Sequence, residues 1–262
     1  MGILNVTPDS FSDGGRFDAL ELALEQAQRM VQEGATIIDV GGESTRPGAA
    51  AITAQEEQQR VLPVIEQLAK RGEALISVDT YRAETARLAL EAGAHIVNDV
   101  WGLQREPEIA DEVSRVMAGV IIMHTGRGRE KLQDVIADQR IFLERSLEIA
   151  RTADIGNDQI VLDPGFGFNK ETTEENLDLM ARFEELSDLG FPLIVGTSRK
   201  RFIGAVTGKD AADRAAGTAA TSVILRLKGA DLFRVHDVAI NVDALAMTDA
   251  MLARSNTWQE PR

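Results

Sequence analysis

Residues 33–40 read Glu33-Gly34-Ala35-Thr36-Ile37-Ile38-Asp39-Val40, and the chain repeats that design at Ala92-Gly93-Ala94-His95-Ile96-Val97-Asn98 and at Lys228-Gly229-Ala230-Asp231-Leu232-Phe233-Arg234. In each stretch a glycine stands where a helix needs its C′ residue, and an apolar run of strand type follows within one or two positions. The three runs end in polar side chains: Asp39, Asn98-Asp99 and His236-Asp237. A helix that stops on glycine and passes at once into a strand is the connection of a parallel sheet, whose neighbours require a crossover.

Outward from these units the alternation runs from end to end. Strands are predicted at Ile3–Val6, Thr36–Val40, Leu75–Val78, Ile96–Asn98, Val120–Met123, Ile160–Leu162, Leu193–Val195 and Leu232–Val235. Helices are predicted at roughly 18–33, 53–71, 81–92, 106–117, 130–153, 171–189, 210–228 and 238–253, with apolar spacing of the kind seen in Leu20, Leu24, Ala27, Met30 and Val31. Eight strand-then-helix units in a chain of 262 residues fit a single α/β domain, a (β/α)8 TIM barrel, better than a doubly wound sheet. No linker or composition shift divides the chain, so residues 1–262 read as one domain.

Hydrophobic residues make up 44% and charged residues 27% of the chain, ordinary for a globular protein. A net charge of −14 repels nucleic acid and anionic membrane surfaces, so neither is an expected partner. The absence of cysteine excludes disulfides, thiolate metal sites and cysteine nucleophiles. No apolar run is long enough to span a bilayer and no signal-type stretch opens the chain, so the expectation is a soluble, cytoplasmic protein.

In such a barrel the working side chains stand at the C-terminal strand ends. There the sequence places Asn5, Asp39, Asp79, Asn98, His124, Asp163, Arg234 and His236, whereas the opposite loops carry Gly-Ala and Gly-Phe-Pro turns. Arg46, Arg199, Lys200, Arg234 and His236 fall in or beside strand-end loops and predict an anion pocket. Thr197-Ser198-Arg199-Lys200 follows the seventh strand, where barrels frequently bind phosphate.

Asp79, Asn98 and Asp163 read either as polar partners for the amino-pyrimidine edge of a guanine-like or pterin-like ring, or as caps of the helices that follow. Asp99 and Asp237 are better placed as caps. Arg234 and His236, two residues apart on a strand end, are expected to point together into the mouth. His124 divides evenly between site and structure, and His95, at the opposite end, reads as structural. No two histidines have metal-ligand spacing, whereas Asn5, Asp9 and phosphate oxygens form a candidate Mg²⁺ site.

Six segments, Gly2-Ile3-Leu4-Asn5-Val6-Thr7-Pro8-Asp9-Ser10-Phe11-Ser12-Asp13-Gly14-Gly15, Gly41-Gly42-Glu43-Ser44-Thr45-Arg46-Pro47-Gly48, Ser77-Val78-Asp79-Thr80, Asp163-Pro164-Gly165-Phe166-Gly167-Phe168, Ser198-Arg199-Lys200 and Arg234-Val235-His236-Asp237, resemble dihydropteroate synthases. The resemblance covers essentially the whole chain, in the expected order. It implies a transferase of folate biosynthesis that joins 6-hydroxymethyl-7,8-dihydropterin pyrophosphate to p-aminobenzoate, releasing pyrophosphate and 7,8-dihydropteroate.

Carried over position by position, it implies that Asp79, Asn98, Asp163 and Lys200 hold the pterin. Asn5, Thr45, Arg46, Arg234 and His236 would bind pyrophosphate, with Asn5 on Mg²⁺. Thr45, Pro47, Phe168, Ser198 and Arg199 would shape the p-aminobenzoate pocket. Asp79, Asp163, Lys200, Arg234 and His236 would carry catalysis, by a dissociative, SN1-like path through a pterin methyl cation. Lys200 is assigned to the ring and Arg234 to the leaving group. A homodimer and binding of sulfonamides are implied too, as is a hairpin before the first strand, on which this chain opens almost directly.

Thr125-Gly126-Arg127-Gly128-Arg129 is richer in arginine than the family pattern. The loops Thr7–Phe17 and Glu43–Ala51 are expected to close over the site. A pterin barrel that transfers methyl groups would share the acids but has no use for the Ser-Arg-Lys and Arg-x-His clamp. A catalytically silent paralogue would not need every matched position intact.

Overall fold

The computed structural model describes residues 1–7, 16–43, 51–170 and 172–257. Its strands are β1 (Gly2–Asn5), β2 (Ile37–Gly41), β3 (Leu75–Asp79), β4 (Ile96–Asp99), β5 (Gly119–Met123), β6 (Ile160–Asp163), β7 (Ile194–Val195) and β8 (Leu232–Phe233). All pair in parallel, in the order of the chain from β1 to β6 and again from β7 to β8. Single bridges complete the circle. Leu162 on β6 meets Leu193, with its N–H 2.9 Å from the Pro192 carbonyl. Gly2 on β1 meets Val235 beyond β8, and the Ile3 N–H reaches the Val235 carbonyl at 2.9 Å.

The strands are apolar on both faces because both are covered, inside by one another and outside by helices. Ile38, Val40, Ile76, Val78, Val97 and Ile122 are all essentially inaccessible. The outer ring consists of α1 (Arg16–Gln32), α2 (Ala54–Arg71), α3 (Ala83–Glu91), α4 (Glu108–Val116), α5 (Val135–Thr152), α6 (Thr173–Ala181), α7 (Arg201–Thr207), α8 (Ala215–Leu227) and α9 (Val238–Thr257). The stripe read from the sequence is the one α1 buries: Leu24, Ala27 and Met30 face the sheet.

Four helices differ from expectation. The stretch 171–189 is α6 followed by a 3-10 segment, Phe183–Leu189, because the backbone opens at Arg182. The stretch 210–228 becomes helical only at Ala215, after a 3-10 turn. An unpredicted helix, α7, precedes it and ends on Gly208 in the left-handed region. Its signal was present in the buried pair Phe202 and Ile203, but seven residues are too few for a helical period to stand out. Helix α5 starts at Val135 instead of 130, since the Asp134 carboxylate accepts from the N–H groups of Ile136 and Ala137 and fixes the first turn there.

The glycines of the repeat have the conformation their position demands: Gly34, Gly93 and Gly229 have φ of +102°, +107° and +97°. A side chain on Gly93 would also place its Cβ 2.6 Å from Ala69 Cβ, whereas one on Gly190 would meet nothing within 4 Å. Gly93→Ala is therefore expected to cost roughly 2–5 kcal/mol through backbone strain and overpacking. Gly190→Ala is expected to cost only about 1–2 kcal/mol. Urea unfolding midpoints of the two variants check the difference.

Candidate active site

The strand registers build the mouth of the barrel. Asn5 pairs with Gly41, Gly41 with Asp79 and Asp79 with Asn98, so four neighbouring strands end level with one another. Met123 pairs with Asp163 across the next part of the rim. A cavity at this end is lined by Asn98, Asp163, Phe168, Lys200 and Arg234, with Val100, Met123 and Phe166 among its apolar walls.

Arg234 enters from the end of β8 and crosses the mouth. Its Nε donates to Asp39 Oδ2 at 2.6 Å and its Nη2 to Asp79 Oδ2 at 2.7 Å. Asn98 Nδ2 donates to the same Asp39 carboxylate at 3.3 Å. On the opposite wall Asp163 Oδ1 accepts the Gly165 N–H at 2.7 Å. Among the described residues nothing donates to Asp79 Oδ1, Asn98 Oδ1 or Asp163 Oδ2, so the cup presents three open acceptors. Lys200 stands beside them with its ammonium 4.1 Å from the Phe168 ring centroid. That set complements a flat heterocycle with several N–H donors and one carbonyl.

The charges are tuned by burial. Desolvation pushes Asp79 up to about 7, against the pull of Arg234 and with the help of Asp39. Burial also raises Asp163. It lowers Lys200 to about 8, assisted by the positive charge of Arg234. Arg234 stays fully charged because two carboxylates hold it.

The other predicted residues are placed less uniformly. Ser198 Oγ lies 2.9 Å from His236 Nδ1 and accepts the His236 N–H, so His236 stands at the rim beside β7's loop while Arg234 lines the cup. Parallel pairing continues past β8, with the Arg234 N–H on the Val195 carbonyl at 2.9 Å and Val235 bridging Gly2, so alternation puts Arg234 and His236 on one side of the chain. Arg199, with φ of +57°, turns its fork onto Asp237 at 2.7 and 3.1 Å. The Arg199 guanidinium is thereby shared with a carboxylate, and the Asp237 side chain is an ion-pair partner. Asp99 does not cap α4, whose N-cap is Pro107; its carboxylate accepts from the N–H groups of Trp101 and Leu103 and ties the turn after β4. Thr45, Arg46, Pro47 and Asp9, with most of the two early loops, lie outside the described residues.

His124 is inside a network behind the cup. Its Nε2 is 2.9 Å from Asp138 Oδ2 and its Nδ1 3.2 Å from Lys170 Nζ. Burial lowers it to about 4, so the ring is neutral. Arg129 grips both oxygens of Asp138, and Arg127 stacks over Phe168 at 5.0 Å, which accounts for the arginines of that loop. Sequence reading missed two residues here. Asp39 was noted only as a strand tip; its position two residues inside Gly41, on the same side of β2, was the available signal. Lys170 closes the segment begun by Asp163, yet a lysine after a glycine-rich turn reads as solvated.

A Mg²⁺ ion is tested by the space beside Asn5. A Cβ on Gly41 would lie 3.7 Å from Asn5 Oδ1 and 3.7 Å from Asp79 Oδ2, so glycine there keeps an oxygen-lined notch open. Among the described residues no group of three or more acidic or histidine side chains forms a metal cage. One amide oxygen, waters and phosphate oxygens suit Mg²⁺, which keeps much of its hydration.

A barrel whose C-terminal mouth carries an acid-lined cup beside a buried guanidinium defines an enzyme for a small polar heterocycle. Residues 1–236 match the pterin binding enzyme family, and the chain belongs to that family, among its dihydropteroate synthases. A dihydropteroate synthase of Bacillus subtilis is 47% identical over 252 residues, 96% of this chain and 88% of that one. The crystal structure of a Clostridium difficile dihydropteroate synthase in the presence of pteroic acid is 46% identical, with a TM-score of 0.93 over 96% of this chain and 95% of that one. A Yersinia pestis dihydropteroate synthase in complex with a sulfonamide drug is 42% identical, with a TM-score of 0.89 over 97% and 94%.

Asp79 carries a signed pH dependence. Its carboxyl holds a proton at higher pH in the folded than in the unfolded chain. Its contribution to stability is complete below the ordinary aspartate range and is lost as pH rises through about 7. Wild type is expected to lose stability relative to Asp79→Asn over that window, as measured by urea unfolding at a series of pH values.

Proposed function

We propose that the cup binds 6-hydroxymethyl-7,8-dihydropterin pyrophosphate and that its methylene carbon passes to the amine of p-aminobenzoate by a dissociative path. The observation that carries this reading is the set of three open acceptors beside Lys200 and Arg234. Asp79, Asn98 and Asp163 accept from the ring's N–H groups, and Lys200 donates to its carbonyl. Pteroic acid, present with the Clostridium difficile enzyme, joins a pterin to p-aminobenzoate and supports the assignment.

As the C–O bond breaks, its electron pair leaves with pyrophosphate. The carboxylates of Asp79 and Asp163 stabilise the positive charge that develops on the pterin, a preorganised electrostatic effect. The amine lone pair then forms the C–N bond and the surplus proton is released, so no strong base is required. Arg234, His236 and Asn5 hold the pyrophosphate, with Thr45 and Arg46 assigned there from the sequence. Phe168, Ser198 and Arg199, with Thr45 and Pro47, form the p-aminobenzoate side, where sulfonamides bind as competitors. Asn5 would hold a Mg²⁺ ion, which would supply positive charge against the pyrophosphate oxygens.

Because Arg234 bonds both Asp39 and Asp79, it serves the pterin side as well as the leaving group, and its removal is expected to weaken both ligands. The chain forms one domain over 1–262 and pairs as a homodimer. Exposed apolar side chains on the adjacent helices α8 and α9, Ile224, Leu227 and Met247, support the pairing. Among the described residues no helix is long and apolar enough to cross a membrane. We place the enzyme in the cytoplasm because a pyrophosphate ester does not cross membranes unaided.

Formation of dihydropteroate is expected to require both substrates and to stop in excess chelator; pyrophosphate release with both substrates present and no dihydropteroate formed would contradict the transfer. Asp163→Asn turns an open acceptor into a mixed group facing N–H donors and is expected to cost about 1–3 kcal/mol of pterin binding by calorimetry. Met247→Glu is expected to give monomers in sedimentation velocity while wild type runs as a dimer.

A further inference from the structure

Lys170 is a buried lysine that no carboxylate approaches within ion-pair distance among the described residues, only 6% exposed. Its ammonium donates to the Gly165 carbonyl at 2.8 Å and faces His124 Nδ1 at 3.2 Å. The N–H of the same Gly165 holds Asp163 Oδ1. Gly165 has no room for a side chain: a Cβ would fall 2.1 Å from the His124 carbonyl oxygen, so the turn sits directly on the end of β5. A neutral His124 that donates from Nε2 to Asp138 leaves Nδ1 as an acceptor turned toward Lys170.

Burying an ammonium costs several kcal/mol unless it is compensated, and a methionine of similar length would fill the same space without that penalty. Fold stability alone therefore does not account for the lysine. Burial lowers Lys170 to about 7, and in its protonated form its charge favours the ionised Asp163 carboxylate. Its donor fixes the turn that carries Phe168, the ring under Lys200.

We propose that Lys170, seated on His124, is a positioning residue for the pterin subsite: it holds the Gly165 turn, and through it the Asp163 carboxylate and the Phe168 ring, in place to receive the heterocycle. This rests on the reading of Asp163 as an acceptor for the pterin. Lys170 touches no substrate.

The test compares Lys170→Met, His124→Gln and Asp163→Asn with wild type. Calorimetry measures affinity for 6-hydroxymethylpterin and, separately, for inorganic pyrophosphate, and thermal unfolding gives Tm. Lys170→Met is expected to keep or raise Tm, to lose tenfold or more in pterin affinity, and to stay within twofold of wild type for pyrophosphate. In turnover, KM for the pterin substrate rises more than kcat falls. His124→Gln shows the same selectivity with a smaller loss.

Pterin affinity within twofold of wild type in Lys170→Met, while Asp163→Asn loses it, overturns the positioning role and leaves the site intact. Equal loss of both ligands overturns it as well, as does failure of both Lys170→Met and His124→Gln to fold, because the network would then be a general staple. Undiminished pterin affinity in Asp163→Asn overturns both the inference and the reading beneath it.

Discussion

One guanidinium serves two buried carboxylates. Arg234 reaches from the last strand of the barrel to Asp39 on β2 and Asp79 on β3, bonding each at 2.7 Å or less, and Asn98 on β4 completes the shell of Asp39. One guanidinium cannot offset two ionised carboxylates inside a low-dielectric mouth. Asp79 is held between the attraction of Arg234 and the cost of its own ionisation. Removing any one member would leave a buried charge uncompensated, so the arrangement constrains every side chain that shares the cup. It also ties the pterin side to the anion side, which a reading of separate motifs along the chain had treated as independent.

The opposite wall is rigid for a different reason. The turn after β6 is anchored in the core by the fully buried Phe166 ring, and its polar groups are tied one by one. Gln139 holds the Pro164 carbonyl, Asn176 accepts the Gly167 N–H and holds the Lys170 carbonyl, and Lys131 holds that of Asn169. A turn pinned in this way keeps its acceptor oriented before any ligand arrives. Preorganisation of that kind lets fixed dipoles and charges act at full strength on charge developing during reaction.

The fold was legible because its signals are local. Glycine at a helix C′ position, an apolar run and a polar strand tip occupy about ten consecutive residues in three places, and eight strand-then-helix units leave little choice of topology. The elements misread were the ones whose signal is short or is overridden by neighbours: α7, with seven residues, the 3-10 segment at Phe183–Leu189, and the start of α5, fixed by the Asp134 cap.

The site was legible to the extent that chemistry sits at strand ends, and for that reason Asn5, Asp79, Asn98, Asp163, Lys200 and Arg234 could be named from their positions alone. Which of them point inward, and what else holds them, depends on contacts between residues far apart in the chain: Arg234 with Asp39 spans 195 positions, and Lys170 with His124 spans 46. Arg199 and His236 stand beside Lys200 and Arg234 in the chain, yet their partners are distant in sequence: an Asp237 carboxylate holds the one and a Ser198 hydroxyl bonds the other. The sequence by itself determined the barrel and the residue types at its mouth, since both follow from short-range pattern. Only the tertiary structure decided the partners, because the energy of a buried charge is set by the groups that closure of the barrel brings around it.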